Sequence, residues 1–314
     1  LPFFIISFFS YNPNPHIDES ISLYCSKFYF DDCIEWDVQF PTFYLLLNFL
    51  TLISFKVEII RIVFSFFSAL SIYFILKTIK IFHSSFKNEI LFAVLFSFIP
   101  LFYSSTFIRP YIFSLLFSSL SIYYFSIFLK RKDNSYFYKS IFFDFFSSAF
   151  FIFNIVLIFP KILISRRLKG LLLLFVYSLV LLPFVYISVF THTNVKVYSI
   201  SWYKNVENFK IFLFNFPVDL FKNLAFEDTE KSLILLVFAK LAQILFVLPI
   251  FKLKDFRIKF LYFFVLLSIL IISLIFSLNN IFLTFSRHFI TFSIFILTIS
   301  PVSYTHLRAH ETVL

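Results

Sequence analysis

The chain has 314 residues, of which 60% are hydrophobic, 24% aromatic and only 14% charged, and its net charge is +10. A soluble domain carries about 25% charged residues, so this composition excludes an ordinary soluble protein, a disordered one and a nucleic-acid-binding one. Two cysteines are too few for a secreted disulfide scaffold. The positive charge is therefore interpreted as a signal of membrane topology.

The first predicted element is the apolar run over residues 1–9. It is shorter than the 20 or so residues that a span requires, and we interpret it as the end of a transmembrane helix whose start is missing. Residues 12–39 carry six acidic residues and one lysine, which is typical of an outer loop. Residues 41–55 are predicted to form a helix lying in the outer interface, with Phe43 and Tyr44 at headgroup depth.

Apolar runs with basic flanks predict the later spans. They cover residues 62–80, 88–106, 110–129, 170–190, 232–251, 259–278 and 288–301. Four basic clusters lie between these runs, and the tendency of basic loops to stay in the cytoplasm places all four on one side. Their members are Lys77, Lys80 and Lys87; Lys130, Arg131, Lys132 and Lys139; Lys161, Arg166, Arg167 and Lys169; and Lys252, Lys254, Arg257 and Lys259.

This sidedness requires an even number of crossings between Lys139 and Lys161, so residues 141–165 are predicted to form a tight pair of short or tilted helices. The predicted fold is all-α, a polytopic transmembrane bundle of about 9–10 crossings in the inner or plasma membrane. It forms a single domain over residues 1–301. Residues 302–314 depart from the composition of the rest and are interpreted as a non-native tail.

Three polar features fall on the outer face in this topology. They are Asp18-Glu19 after the first span, Arg109-Pro110-Tyr111 between two spans, and Arg287-His288 at the start of the last span. Charges near the hydrocarbon boundary are costly and are often kept for ion, phosphate or substrate binding. Arginines hold phosphates through charge-assisted bidentate hydrogen bonds, and a neighbouring carboxylate can accept a proton from a hydroxyl.

Each of these features also has a simpler interpretation. Arg109 and Arg287 can serve as interfacial anchors, and Asp18 and Glu19 can form a solvated loop face. His16 could join the two acidic residues in binding a divalent cation, but the sequence contains no second ligand cluster with metal spacing. We therefore predict no metal and no other cofactor.

Other positions narrow the possible functions. Gly170 is the only glycine, which excludes Walker and dinucleotide-binding motifs. Asp144 lies in the short hairpin and is either a transporter-like charge or a polar residue paired inside the bundle. Cys25 and Cys33 share the outer loop and are either a disulfide or two free thiols.

The order of these motifs resembles that of the polytopic membrane glycosyltransferases of the GT-C superfamily, especially the family-39-like enzymes related to protein mannosyltransferases and aminoarabinose transferases. The matching segments, in order, are Asp18-Glu19, Gln39-Phe40-Pro41-Thr42-Phe43-Tyr44, Glu58-Ile59-Ile60-Arg61, Arg109-Pro110-Tyr111 and Phe282-Leu283-Thr284-Phe285-Ser286-Arg287-His288, with Trp202 in the outer loop. The chain departs from the family at Phe153-Asn154, where relatives often show Thr-His, and at His288, where they show Tyr.

The resemblance implies that a sugar is transferred from a polyprenyl-phosphate donor to a hydroxyl of a lipid, glycan or protein of the cell envelope, on the extracytoplasmic face. Asp18 would be the general base, Glu19 would position the acceptor or tune Asp18, and Arg109 and Arg287 would bind the donor phosphate. The supporting residues would be Arg61, Tyr111 and His288. Of these, Arg61 would form an ion pair with the acidic residues. The lipid phosphate is itself the leaving group, so no cofactor is implied.

Two other classes of protein fit the same sequence. A multi-pass transporter or lipid flippase places ionisable groups near the membrane centre, often within internal repeats. A non-catalytic membrane protein predicts instead that Asp18, Arg109 and Arg287 lie far apart. In every case the expected partners include membrane lipids and exclude nucleic acid.

Overall fold

The computed structural model describes residues 1–11, 17–27, 41–54, 56–82, 89–99, 102, 106–165, 168–190, 256–278 and 298. Every element in these ranges is helical, which confirms the predicted all-α class for this part of the chain. The elements are α1 (Pro2–Ser10), α2 (Ile17–Lys27), α3 (Pro41–Ile53), α4 (Val57–Phe82), α5 (Glu89–Ser97), α6 (Tyr111–Arg131), α7 (Asn134–Phe150), a 3-10 helix (Ile152–Leu157), α8 (Ile158–Ser165), α9 (Leu168–Phe190) and α10 (Phe256–Leu278).

Two helices of the described ranges, α4 and α6, are long and apolar enough to cross a membrane. They have 26 and 21 residues, and a helix rises about 1.5 Å per residue, so each can cover a hydrocarbon layer about 30 Å thick. They correspond to the predicted spans 62–80 and 110–129. Because α4 begins at Val57, it contains Arg61 within its second turn.

Helices α4 and α6 run side by side in the same direction. The ring of Phe64 packs against that of Phe113, and further along Phe74 packs against Tyr123, each with centroids 5.4 Å apart. The residue numbers of the contacting pairs increase together on the two helices. Only a parallel arrangement of the helices gives this pattern. The first turns of the two helices therefore lie at one end of the bundle and their last turns at the other.

We call these the Arg61 end and the Lys132 end. Arg61 lies near the start of α4, and Lys132 directly follows α6. The last turns at the Lys132 end contain Lys80, Lys130 and Arg131. Two of the predicted basic clusters are thus gathered at the same end of the bundle.

A two-residue connection turns the chain from α6 into α7. Lys132 adopts a left-handed backbone with φ 61°, and its N–H donates a 2.8 Å hydrogen bond to the carbonyl of Phe128. The side chain of Asp133 then accepts a 2.9 Å hydrogen bond from the backbone N–H of Ser135, which caps the start of α7. Such paired C- and N-caps satisfy the backbone groups that helix ends leave open.

Small residues line the contact between α6 and α7. They recur at helical spacing as Ser114, Ser118 and Ser121 on α6, and as Ser140, Asp144 and Ser147 on α7, and all of them are buried. Ser118 and Ser147 join their hydroxyls across the contact at 2.7 Å. Small side chains let two helices approach closely in an apolar environment, and their hydroxyls then bond across the contact.

The pair of short helices predicted over residues 141–165 consists of α7, the 3-10 helix and α8. Helix α7 begins at Asn134 and runs to the Arg61 end, where Phe150 stacks on Phe113 with centroids 4.9 Å apart. Helix α8 runs back, so that Leu163 lines the same cavity as Lys132. Both ends of this segment lie at the Lys132 end, so the chain turns back on itself here as predicted, while the number of membrane crossings stays a prediction.

Phe43 and Tyr44, which the sequence predicts at headgroup depth, pack inside the bundle. Both are on α3, at the expected position in the sequence, but both are fully buried. Phe43 lies 6.4 Å from the ring of Phe113, and Thr42 donates a hydrogen bond to the carbonyl of Ala149 on α7. Packing against neighbouring helices, rather than a lipid surface, covers this side of α3.

The other predicted spans agree with the structure to different degrees. Helices α9 and α10 cover the positions of the predicted spans 170–190 and 259–278, which confirms that these residues are helical. Helix α5 ends at Ser97, well before the predicted end at residue 106; Pro100 follows, and a proline disfavours helix at the preceding residue. The spans 232–251 and 288–301, apart from residue 298, and the tail 302–314 lie outside the described residues.

Candidate functional site

An ion pair between Glu19 of α2 and Arg61 of α4 lies at the Arg61 end, with both side chains almost completely buried. The Nε of Arg61 donates a 2.9 Å hydrogen bond to Oε1 of Glu19, and its Nη2 donates another to Oε2. This is the two-point geometry with which a planar guanidinium holds a carboxylate. An unpaired charge would be costly at this depth, so the pair fixes α2 against α4.

The same ion pair holds the segment that precedes α6. The backbone N–H of Ile108 donates a 3.0 Å hydrogen bond to the carboxylate. The guanidinium of Arg61 lies over the ring of Phe107, 5.5 Å from its centroid, and Nη1 donates a 3.4 Å hydrogen bond to the carbonyl of Ser10. Thr106 donates a 2.7 Å hydrogen bond to the Ser10 hydroxyl. Helices α1, α2 and α4 and residues 106–108 are thus connected by one polar network.

The Arg109-Pro110-Tyr111 motif forms the corner from which α6 begins. The backbone N–H of Arg109 donates a 2.6 Å hydrogen bond to the carbonyl of Phe107, and the carbonyl of Pro110 accepts hydrogen bonds from the first turn of α6. Proline presets the backbone angle that a helix start requires. Arg109 is only 9% exposed, and Tyr111 is half-buried. The corner therefore holds Arg109 directly after the residue that binds the Glu19 carboxylate.

The structure joins two of the residues predicted for the site, Glu19 and Arg61, and places Arg109 directly after Ile108, whose N–H binds the same carboxylate. The expected ion pair between Arg61 and the acidic residues is present, and Glu19 provides its carboxylate. Asp18 belongs to the first turn of α2, but its side chain lies outside the described residues. Also outside them are Arg287, His288 and Trp202.

The carboxylate of Glu19 is fully engaged in hydrogen bonds. Its carboxylate accepts two hydrogen bonds from Arg61 and one from Ile108, and the residue has no exposed surface. Through these bonds the carboxylate orders Arg61 and the corner before α6. The role expected of Glu19, positioning the acceptor or tuning Asp18, stays a prediction.

A second buried ion pair lies between α7 and α8. The Nζ of Lys161 donates hydrogen bonds of 2.7 Å to Oδ2 of Asp144 and 3.1 Å to the Ser140 hydroxyl, and another to the Ser121 hydroxyl. Ser121 in turn donates a 2.6 Å hydrogen bond to Oδ1 of Asp144. The ammonium also lies 5.5 Å from the centroid of the Phe125 ring. All three ammonium hydrogens have acceptors, so the charge is held in a complete polar shell.

The prediction that placed Lys161 in a basic loop cluster with Arg166 is wrong. Lys161 is fully buried, because α8 packs it between α6 and α7, where Asp144 supplies the opposite charge. Of the two interpretations of Asp144, the structure supports a residue paired inside the bundle. The sequence contains one sign of this difference, since the apolar residues 162–164 separate Lys161 from the adjacent arginines that follow.

The described residues include no group of three or more His, Cys, Asp or Glu side chains arranged to hold a metal ion. Cys25 is buried in α2 and is disulfide-bonded, while Cys33, the other cysteine of the chain, lies outside the described ranges. Comparison with models of protein families, with curated proteins and with solved structures gives no match to this chain.

Proposed function

We propose that this protein is a polytopic membrane glycosyltransferase of the GT-C type. It transfers a sugar from a polyprenyl-phosphate donor to a hydroxyl of a lipid, glycan or protein on the extracytoplasmic face of the cell membrane. The fold would be a bundle of about 9–10 crossings. The acceptor hydroxyl, the donor phosphate and the sugar would meet at the Arg61 end.

The observation that carries the proposal is the convergence of motifs that are far apart in the sequence. Glu19 directly follows Asp18, Arg61 comes from the third segment of the resemblance, and the corner contains Arg109. Hydrogen bonds of 2.9 Å and 3.0 Å to one carboxylate oxygen join these segments. The buried network thus links the segments that contain Asp18 and Arg61 to the residue directly before Arg109, which interfacial anchoring alone does not require.

Several features support the membrane placement. Large apolar side chains on α9 are exposed, among them Leu172, Phe175 and Leu182, and exposed apolar surface of this kind suits contact with lipid. Disulfides persist in oxidising compartments, so the disulfide of Cys25 favours an extracytoplasmic position for α2. Basic residues collect at the opposite, Lys132 end, and basic loops favour the cytoplasm.

In the proposed reaction, Asp18 takes the proton of the acceptor hydroxyl. The hydroxyl oxygen attacks the anomeric carbon of the sugar and forms the new glycosidic bond, while the bond from that carbon to the phosphate oxygen breaks. The electron pair of the broken bond leaves with the polyprenyl phosphate, whose charge Arg109 and Arg287 stabilise. Attack from the side opposite the phosphate inverts the anomeric centre. Tyr111 and His288 would support the substrates.

Glu19 and Arg61 act through other residues in this scheme. Their ion pair holds the start of α2, which includes Asp18, against the corner that includes Arg109. Preorganised placement of a base and of phosphate-binding groups is a large part of what an enzyme contributes to such a transfer. The pair does not itself contact the reacting atoms.

A transfer assay on the purified full chain, with a panel of polyprenyl-phosphate sugars and a lipid extract as acceptor, tests the proposal. We expect Asp18→Asn to reduce transfer at least a hundredfold, which is the usual contribution of a general base. The matched control is Asp133→Asn, the same substitution at the Lys132 end, where asparagine still caps α7. Full activity of Asp18→Asn would remove Asp18 as the base, and no transfer from any donor by the wild type would reject the enzyme.

A transporter or lipid flippase is the second candidate, because charged pairs buried in a membrane bundle often belong to ion or substrate pathways. The relevant observation is the pair of Asp144 and Lys161, neither of which is more than 2% exposed. The hydrogen bonds around the pair are complete, which favours a permanent structural contact. A residue that binds and releases a cargo would need groups that are open to the cargo. Uptake of a labelled lipid or ion that Asp144→Asn abolishes, without loss of folded protein, would favour this second candidate.

A further inference from the structure

A cavity of about 560 Å³ lies at the Lys132 end, where three segments meet. The last turns of α6 and α8 and the first turn of α10 line it. The lining residues that matter here are Phe128, Leu129, Lys132, Leu163, Arg257 and Phe260. It is far along the bundle from the network of Glu19 and Arg61, because α4 and α6 separate the two ends by their full length.

The lining of this cavity is amphipathic. Phe128, Leu163 and Phe260 provide an apolar wall, and Lys132 and Arg257 are exposed cations at its edge. The Nζ of Lys132 lies 5.8 Å from the centroid of the Phe128 ring. A cation next to an apolar wall matches a ligand that joins a phosphate to a hydrocarbon chain.

Further basic residues lie next to each lining segment in the sequence. They are Lys130 and Arg131 in α6, Arg166 and Arg167 directly after α8, and Lys252 and Lys254 shortly before α10. Three of the four basic clusters predicted from the sequence thus lie in or next to the sequence segments that line the cavity. At the cavity itself, the two cations Lys132 and Arg257 favour an anionic headgroup over one with no net charge.

We propose that the cavity binds one anionic phospholipid from the leaflet at the Lys132 end. The headgroup phosphate lies between Lys132 and Arg257, and the acyl chains follow the apolar wall. Basic pockets between membrane helices bind anionic headgroups in this way, and the apolar wall favours a lipid over free phosphate. The inference rests on the membrane placement proposed above, but not on sugar transfer.

The test measures lipid binding to the purified full chain in detergent, by native mass spectrometry during titration with phosphatidylglycerol or with phosphatidylcholine of the same acyl chains. We expect one phosphatidylglycerol to bind in clear preference to phosphatidylcholine. The double variant Lys132→Asn/Arg257→Gln should bind it about thirtyfold more weakly, since each cation near the surface contributes roughly fivefold. Asparagine is suited to the left-handed backbone at position 132, so the turn is kept.

The control variant is Lys130→Gln/Lys139→Gln. It removes two charges from exposed side chains in the same basic cluster that do not line the cavity. Its affinity should stay within about twofold of the wild type, because solvent and salt screen such charges. Circular dichroism melting shows whether both variants are folded.

Equal losses in the two double variants would overturn the proposal, since binding would then follow net charge alone. Equal binding of phosphatidylglycerol and phosphatidylcholine would also overturn it. Displacement of the lipid by millimolar inorganic phosphate would assign the cavity to free phosphate instead. Sugar transfer by Lys132→Asn/Arg257→Gln is measured in a separate assay. A negative result for lipid binding is therefore distinct from a negative result for the glycosyltransferase proposal.

Discussion

Removing the ammonium of Lys161 leaves the carboxylate of Asp144 without its counter-charge inside the bundle. Lys161→Met preserves most of the length and the apolar stem of the side chain but deletes the donors to Asp144, Ser121 and Ser140. Asp144 keeps the 2.6 Å hydrogen bond from Ser121, which does not neutralise it. Breaking a buried ion pair from one side costs about 3–5 kcal/mol, and we expect the free energy of unfolding to fall by that amount.

The double variant Asp144→Leu/Lys161→Met removes both charges and should recover most of this loss. Replacement of a whole buried ion pair by apolar residues is often neutral, or stabilising by about 1–4 kcal/mol. The loss in the double variant should therefore fall short of the sum of the two single losses by at least about 3 kcal/mol, which is the upper end of what neighbouring residues usually show. Ser140→Ala removes only one neutral acceptor, so we expect a smaller loss of about 1 kcal/mol.

The assay is unfolding of the purified chain in mixed micelles with a rising fraction of denaturing detergent, followed by circular dichroism. Lys130→Met is the matched control, because it makes the same substitution at an exposed position of α6 and should change stability by no more than about 0.5 kcal/mol. The argument is refuted if Lys161→Met is no more destabilising than Lys130→Met. It is refuted equally if the losses of the two single variants simply add in the double variant.

Two further predictions use the same assay. Arg61→Met should lower the free energy of unfolding by about 3–5 kcal/mol, because it leaves the Glu19 carboxylate buried without its counter-charge. The double variant Arg61→Met/Glu19→Leu should recover most of that loss. Equal losses in the two variants would contradict a coupled pair. In an ordinary helix, replacing a glycine by alanine raises the stability by about 1 kcal/mol. In Gly170→Ala, however, the new Cβ would lie 2.9 Å from Cγ1 of Ile162. We expect a net loss of about 1–3 kcal/mol from overpacking, and a gain in stability would show that the contact yields.

Helix α6 and the helices next to it show which parts of the fold the sequence predicts. The span 110–129 was predicted because an apolar run with basic residues after it is a local signal, and α6 covers residues 111–131. The return of the chain over residues 141–165 was predicted from the distribution of charges between loops. The end of α5 was predicted too late, because the apolar run continues past the proline at position 100.

The candidate site was predictable only in part. Resemblance to a family selected Arg61 and Glu19, and the structure joins them. The composition of the first loop did not reveal that the Glu19 carboxylate would be buried and fully engaged, since that depends on the backbone N–H of Ile108 from a distant segment.

The sequence by itself determined that the chain is helical and apolar, where the basic clusters lie, and which few charges stand apart from them. These are properties of composition and of order along the chain, and they need no contact between distant residues. The tertiary structure alone decided which charges meet. The sequence predicts a loop position for Lys161, but α8 packs it against Asp144, and the packing of α3 buries the rings of Phe43 and Tyr44. The physical reason is that burial makes a charge or a ring depend on its neighbours in space, and those neighbours come from other helices.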